Sequence, residues 1–371
     1  MNNLRSIPAF VLSATGLLLA ASNAAAAEAA RTVNVYGWAG YIASETLARF
    51  EQQTGIRVKY DSFDSADILE AKLLTGHSGY DVVVPGVAML DRLIRAKALQ
   101  PTAMQQYKAA GQYDAQLLGQ LAQVDPGNLY AVPYAWGTTG LAYNQDAVEK
   151  RIPGAPLNSF DLLFKPEYAS KLKDCGIAII DSPQEVMSIA LHYLGKNPYS
   201  QSSADYGAAK QLLEQLRPNL RYIAFGKQSN DLANGDLCLA LTYNGDAVVA
   251  KGQATAAGKP FTVGYQIPRE GTLAWIDTLA IPADAPHAAE AKAFIEFVTD
   301  AESMAEMTNA LYYANANRAS IDRLPTELRE DETLFPSAER RQTLFGEEPL
   351  PARTLRERTR VWAGFRTQVG E

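Results

Sequence analysis

Several short segments of this sequence place acids and aromatic rings at the carboxyl ends of strand-like runs, or in the turns after them. "IIDSPQEV" carries Asp181 and Glu185, "LTYNGDAV" carries Tyr243 and Asp246, "LAWIDTLA" carries Trp275 and Asp277, and "YYANANR" carries Tyr312 and Tyr313. Another, "VYGWAGYI", ends a strand-like run in a turn that presents Trp38 and Tyr41. A small organic cation suits this combination. Carboxylates accept its N–H groups in charge-assisted hydrogen bonds, and aromatic faces hold the charge and stack on methylenes. Each good bond to a charged group is worth about 1.5–3 kcal/mol. Two or three of them with stacking reach the about −8 kcal/mol of a micromolar binder.

Structural roles compete for the same residues. Asp246 follows Asn-Gly and precedes an apolar run, a helix N-cap context. Glu185 falls in the first turn of a helix, where the dipole favours an acid. Trp38 and Trp275 suit a core. Asp277 resists such an explanation, because an unpaired carboxylate in an apolar strand is costly. The acids are interleaved with rings rather than with a nucleophile or oxyanion donors, and the chain lacks G-x-S-x-G, P-loop and H-E-x-x-H patterns. No catalysis and no cofactor are expected. His77, His192 and His287 are far apart and match no metal-ligand spacing.

The elements that must position these residues start after a leader. Arg5 supplies a basic start, residues 8–20 an apolar run, and Ala25 and Ala27 an A-x-A cleavage pattern. Residues 1–27 therefore read as a secretory signal peptide cleaved near Ala27, with the mature protein outside the cytoplasm. The remaining length suggests two domains. A formal charge of −7 with no Lys/Arg cluster makes nucleic acid and anionic membranes poor partners. In an oxidising compartment the two cysteines, Cys175 and Cys238, favour a disulfide over two buried thiols.

From residue 32 the chain alternates strand and helix. "TVNVYGW", "IRVKYDSF" and "YDVVVPG" read as strands. Between and after them, 44–54, "SADILEAKLLTG" and "VAMLDRLIRAKAL" read as helices, the first with Ser44 as N-cap and Gly55 beyond its end. This is a doubly wound α/β pattern, in which ligands bind beyond the carboxyl ends of the strands. The style repeats from about residue 138. "TLAWIDTLAIP" reads as a strand crossing between domains, "HAAEAKAFIEFVTDAESMAEMT" as one long amphipathic helix, and the end from Leu324 as helical and polar.

The wording of these segments resembles the periplasmic polyamine-binding proteins of ABC transporters, nearest to the putrescine-binding type. The matching strings run in order from about residue 32 to 320: "VNVYGWAGYIASETLARFEQQTGIRVKYDSFDSADILEAKLLTGHSGYDVVVPG", "YAVPYAWGTTGLAYN", "LLFKPEYASKLKDCGIAIIDSPQEV", "LRPNLRYI", "NDLANGDLCLAL", "GYQIPREGTLAWIDTLAIPADA" and "YYANANRAS". The resemblance implies a type II solute-binding fold: two lobes, each a doubly wound mixed α/β sheet with flanking helices, closing on ligand. Lobe 1 would hold 31–137 and 277–322, and lobe 2 138–276 and 323–371. The residues that match the family's binding positions are Trp38, Glu185, Tyr243, Asp246, Trp275, Asp277 and Tyr313. Cys175 and Cys238 match a cysteine pair of the putrescine-binding type.

The departures at 39, 40 and 86 fall on the wall from the first lobe. Ala39 and Gly40 stand where the family has a hydroxyl residue and an acid, Gly86 where it often has Ser, and Ser182 where the spermidine-binding branch has an acid. The resemblance implies polyamine capture and delivery to a membrane permease, by a monomer in the periplasm. The alternatives are another amine (agmatine, a monoamine or an amino acid such as 4-aminobutyrate) and a ferric-ion carrier using the adjacent Tyr312 and Tyr313.

Overall fold

The computed structural model describes residues 31–63 and 65–367, so the expected leader lies outside the described residues. Its strands are β1 Thr32–Trp38, β2 Arg57–Phe63, β3 Val82–Val83, β4 Leu99–Gln100, β5 Ala131–Asn144, β6 Ile177–Ile180, β7 Leu220–Ala224, β8 Leu239–Tyr243, β9 Val263–Gln266, β10 Leu273–Pro282, β11 Ala314–Asn315 and β12 Phe345–Gly346. They lie in the order β2-β1-β3-β10-β5-β8-β6-β7. β4 and β12 pair with β10, and β9 and β11 with β5. The outer strands pair in parallel, β1 with β2 and β3, and β6 with β7 and β8. Helices connect them, as parallel strands require. The central pair β5/β10 is antiparallel, so the sheet is mixed.

Two large apolar clusters flank this central pair. One gathers residues between Val33 and Trp136 and between Trp275 and Ala316. The other gathers residues between Leu141 and Leu241, with Leu273, Trp362 and Phe365. β5 leaves the first cluster at Trp136 and enters the second at Leu141, and β10 crosses the other way between Leu273 and Trp275. Both strands are near-continuous apolar runs, as strands covered on two faces are. Along β10 every residue is buried except Asp277. The register shifts between Asp277 and Thr278, where Tyr134 is the extra residue on β5. A bulge bends its own strand, and here the bent strand is β5, opposite the acid.

Some local expectations are corrected. Ser44 is the first residue of its helix, and Ala43 holds the N-cap position without a side-chain bond, while Gly55 does end the helix in the left-handed region at φ 69°. The long amphipathic segment is two helices, Ala288–Val298 and Ala301–Leu311. Asp300 breaks it by accepting from Ser303 N at the second N-terminus. Asp246 is in the first turn of Asn244–Ala256 rather than at its N-cap, which is Tyr243. The chain end is only partly helical, and its helix Ala352–Arg366 is not wholly polar: Trp362 and Phe365 enter the second apolar cluster, and even Arg358 is buried, donating to Ser188 Oγ at 2.8 Å and to the Pro198 carbonyl.

Cys175 and Cys238 are joined in a disulfide, with Cα atoms 5.5 Å apart and a sequence separation of 63. They precede the neighbouring strands β6 and β8 and tie the starts of both together. For a loop of this length the chain-entropy account gives about 4 kcal/mol. The Cys175→Ala/Cys238→Ala double variant is expected to melt about 5–6 °C lower. Calorimetry of the oxidised, reduced and double-variant proteins checks this, with the reduced wild type expected to match the variant.

Candidate functional site

The acids flagged by their neighbouring rings divide into two groups in the fold. Asp181 leaves the set. It accepts from Trp362 Nε1 at 2.9 Å and pairs with Arg366 at 3.0 Å, anchoring the C-terminal helix. That helix packs on Pro183–Tyr193, whose first turn carries Glu185. Glu185, Asp246 and Asp277 instead converge at the β5/β10 crossing, each surrounded by protein yet keeping part of its surface open. Acids in that state line a cleft.

Glu185 is the best supported. Thr139 donates to Oε2 at 2.7 Å, while Ser182 and Tyr243 donate to Oε1 at 2.8 and 2.9 Å. Burial raises its pKa, and these three donors offset part of the rise. Asp246 accepts from Thr242 at 2.8 Å, with the Tyr313 hydroxyl against the same carboxylate. Burial raises it too. Asp277 accepts from the Tyr41 hydroxyl at 2.6 Å through Oδ2. Burial drives its pKa up to about 7; the Tyr41 bond opposes this and the negative charge of Glu185 adds to it. At neutral pH, then, Asp277 is only partly ionised.

The rings separate and roof these acids. Trp275 lies edge-on to Tyr243 at 5.8 Å and to Tyr313 at 5.1 Å. Tyr41 is 6.5 Å from Tyr313. Trp38 packs on Phe63 at 4.5 Å and stacks at 6.1 Å, 23° from parallel, on Phe225. Phe225 follows β7 on the far side of the cleft and is 51% exposed. This stack joins the two halves at the rim.

Ala39 and Gly40 are exposed in the turn after Trp38, and a Cβ on Gly40 would meet nothing within 4 Å. Tyr41, not that pair, is the residue of this turn that reaches Asp277. Ser182 supports Glu185. Gly86 bridges to Asp277 through the backbone, and a Cβ placed on it would lie 3.3 Å from Asp277 Oδ1. Its φ of −72° is open to any residue, so the glycine matters here for space. Tyr312 takes a left-handed φ of 57° at the end of helix Ala301–Leu311, while Tyr313 turns to Asp246. A surface cavity of about 250 Å³ lined by Tyr143, Lys251, Thr262 and Gln266 borders none of these acids.

Sequence reasoning missed Tyr41 as a donor, Thr139, Phe225 and, above all, Glu347. Glu347 follows β12, which pairs with the start of β10 beside Trp275. Its Oε2 accepts a long 3.4 Å bond from Ala88 N and would lie 3.9 Å from a Cβ on Gly86. Burial raises its pKa to about 8, with the charges of Glu185 and Asp277 adding to the rise. Among the described residues the ion pairs go to other acids, and none reaches Glu185, Asp246, Asp277 or Glu347. Four carboxylates thus share a ring-lined cleft without an ion pair to any protein cation among the described residues; only Arg92, itself paired with Glu70, acts on Glu347 from a distance.

A family model for bacterial extracellular solute-binding proteins matches residues 45–336. The chain is 41% identical over 349 residues, 94% of each chain, to a putrescine-binding periplasmic protein of Escherichia coli. It is 42% identical over 351 residues to a putrescine/agmatine-binding protein of Pseudomonas aeruginosa, covering 94% of this chain and 96% of that one. The solved structure of a spermidine/putrescine ABC transporter substrate-binding protein from Streptococcus pneumoniae is similar with a TM-score of 0.78 at 25% identity, covering 91% of this chain and 99% of that one. With an α/β fold of this kind and a match of this extent, the chain belongs to the bacterial extracellular solute-binding proteins.

Proposed function

We propose that this protein captures a linear polyamine in the cleft at the β5/β10 crossing and delivers it to the membrane permease of an ABC importer. The observation that carries this reading is the set of four half-open carboxylates, spaced by Trp38, Tyr243, Trp275 and Tyr313 and lacking any cationic partner among the described residues. An ammonium chain neutralises the acids while its methylenes lie on the rings. The relatives named above support the amine class. Binding is non-covalent, and the protein is a periplasmic monomer without catalytic activity.

The lobes are 31–137 with 277–322, and 138–276 with 323–371. The two apolar clusters on either side of β5 and β10 support this division. Closure follows from differential contact: Asp277 and Trp38 come from one lobe, Glu185, Asp246 and Tyr243 from the other, and only the closed form lets a ligand touch both. The Trp38–Phe225 stack adds to that closed form, and an aromatic pair contributes about 0.5–1.5 kcal/mol. Phe225→Ala is expected to weaken amine binding about 2–10-fold with the melting temperature of the unliganded protein little changed, which titration calorimetry and a melting scan check together.

The test is a thermal-shift panel of putrescine, cadaverine, spermidine, spermine, agmatine and 4-aminobutyrate on the mature protein. A ligand at about 100 times its dissociation constant stabilises by about 2.7 kcal/mol. A shift for polyamines that exceeds the one for 4-aminobutyrate is the expected result. No shift for any amine at millimolar concentration overturns the reading.

A further inference from the structure

Tyr60 on β2 reaches across its neighbour strand to the turn after β1. Its hydroxyl donates to the Trp38 carbonyl at 2.6 Å, and the Tyr41 amide bonds to the same hydroxyl oxygen. The Tyr41 amide also donates to the Trp38 carbonyl at 3.2 Å. One side-chain hydroxyl thus ties together the first and last residues of the turn 38–41. Burial pushes the Tyr60 phenol well above its usual range, so it remains a donor at neutral pH.

Gly37 is what admits this hydroxyl. A Cβ on Gly37 would collide with Tyr60 Oη and lie 3.0 Å from Val84 Cγ2. Gly37 is buried in β1, paired with Ser62 of β2 and outside the left-handed region, so the missing side chain serves space rather than backbone freedom. A glycine inside a strand weakens it and marks a close approach, and here the group that approaches is the Tyr60 hydroxyl.

The turn needs such a hold. Ala39 and Gly40 are exposed, and Gly40 takes a left-handed φ of 67°. Neither offers a side chain to anchor the loop. A second hydroxyl, from Tyr134, donates to the Tyr41 carbonyl at 3.2 Å. At the two ends of the turn stand groups of the cleft: the Trp38 ring, set against Phe63 and Phe225, and the Tyr41 hydroxyl, which donates to Asp277 Oδ2 at 2.6 Å. A hydrogen bond weakens steeply once its geometry is lost, so the bond to Asp277 depends on the backbone beneath Tyr41.

We propose, on the polyamine reading above, that Tyr60, admitted by Gly37, is a positioning residue for amine binding: its hydroxyl fixes the turn that presents the Trp38 ring to the ligand and the Tyr41 hydroxyl to Asp277. The consequence reaches the charge of the cleft. The Tyr41 bond favours the ionised form of Asp277 against burial and the charge of Glu185. A loosened turn weakens that bond, and Asp277 then ionises at higher pH. The titratable groups that face Asp277 are Tyr41, Tyr313, Glu185 and Glu347, and Tyr60 acts on this set through Tyr41.

Titration calorimetry of the full mature chain with putrescine, between about pH 6 and pH 8.5, tests this. Tyr60→Phe keeps the ring and removes the hydroxyl. It is expected to weaken binding about 5–10-fold at neutral pH and to move the rise of affinity with pH upward by about half a unit. Tyr41→Phe removes the bond to Asp277 outright and is expected to move the rise in the same direction; adding Tyr60→Phe to it is expected to move the rise no further. A hydroxyl that only stabilised the fold would lower the melting temperature without moving that profile. Gly37→Ala keeps Tyr60 but displaces its hydroxyl, so it is expected to reproduce both effects, and it carries the test if Tyr60→Phe fails to fold. Unchanged affinity, weaker binding with an unmoved pH profile, or a further shift in the Tyr41→Phe background overturns the positioning role while leaving polyamine capture standing. Absence of putrescine binding by wild type overturns the polyamine reading and the positioning role with it.

Discussion

Replacing Asp277 with Asn is expected to weaken polyamine binding by about 100-fold or more while making the unliganded protein harder to melt. The two effects share one cause. Asp277 is the only open residue in an otherwise buried strand, and its carboxylate has one hydrogen-bond donor, Tyr41. Bound to an ammonium, it becomes half of a desolvated ion pair, and removing one partner of such a pair costs about 3–5 kcal/mol. Without ligand, the same charge is a burden. Its pKa in the folded protein is raised from the usual carboxylate range to about 7. A raised pKa means that the group favours folding fully at acid pH and loses that contribution as pH rises from the ordinary carboxylate value to about 7. Asn keeps an oxygen for Tyr41 and removes the charge. Titration calorimetry and a melting scan at neutral pH check both halves. Unchanged affinity would remove Asp277 from the ligand set, and a lower melting temperature would contradict the electrostatic account.

The second large effect is on pH. Asp277 titrates at about 7 and Glu347 at about 8 in the unliganded cleft. Below these values they are neutral, and a cation must expel their protons to bind. Affinity is therefore expected to rise between about pH 6 and pH 8, by about tenfold for each acid that must ionise. It should level off above that range and fall again once the ligand's own ammonium groups deprotonate. The groups facing Asp277 are Tyr41, Tyr313, Glu185 and Glu347, and burial holds both tyrosines neutral across this window. The window therefore belongs to the acids. Affinity that stays flat between pH 6 and pH 8 would mean that these carboxylates are already charged before ligand arrives.

Legibility in the sequence followed local chemistry. Asp277 stood out because a charge in an apolar strand needs a reason, and the structure gives it an opening, opposite a bulge in β5. Tyr243 and Asp246 stood out because they follow a strand and open a helix, where a doubly wound fold presents its ligand groups. The crossing of β10 was legible from the length of its apolar run. Glu347 was not: "FGEEPLP" holds two adjacent acids in a polar stretch without periodicity, which reads as a solvated loop. Only the pairing of β12 with β10 brings the first acid to Gly86 and leaves the second, Glu348, exposed. Tyr41 was visible as a ring, but its hydroxyl partner lies 236 residues away in sequence. The break at Asp300 was hidden because apolar spacing continues through it, and the N-cap that stops the first helix is a single side-chain bond. Asp181 showed the opposite error: an acid beside Glu185 at a strand end proved to be a clamp for the C-terminal helix.

The most direct test of cation capture by these acids is titration calorimetry of wild-type protein with spermidine and putrescine, repeated in two buffers of different ionisation enthalpy. One binding site per chain, a dissociation constant of about micromolar or tighter, and net proton release at neutral pH are the expected results. Binding without proton release would contradict the raised acids, and no heat from either amine at millimolar concentration would contradict the account as a whole.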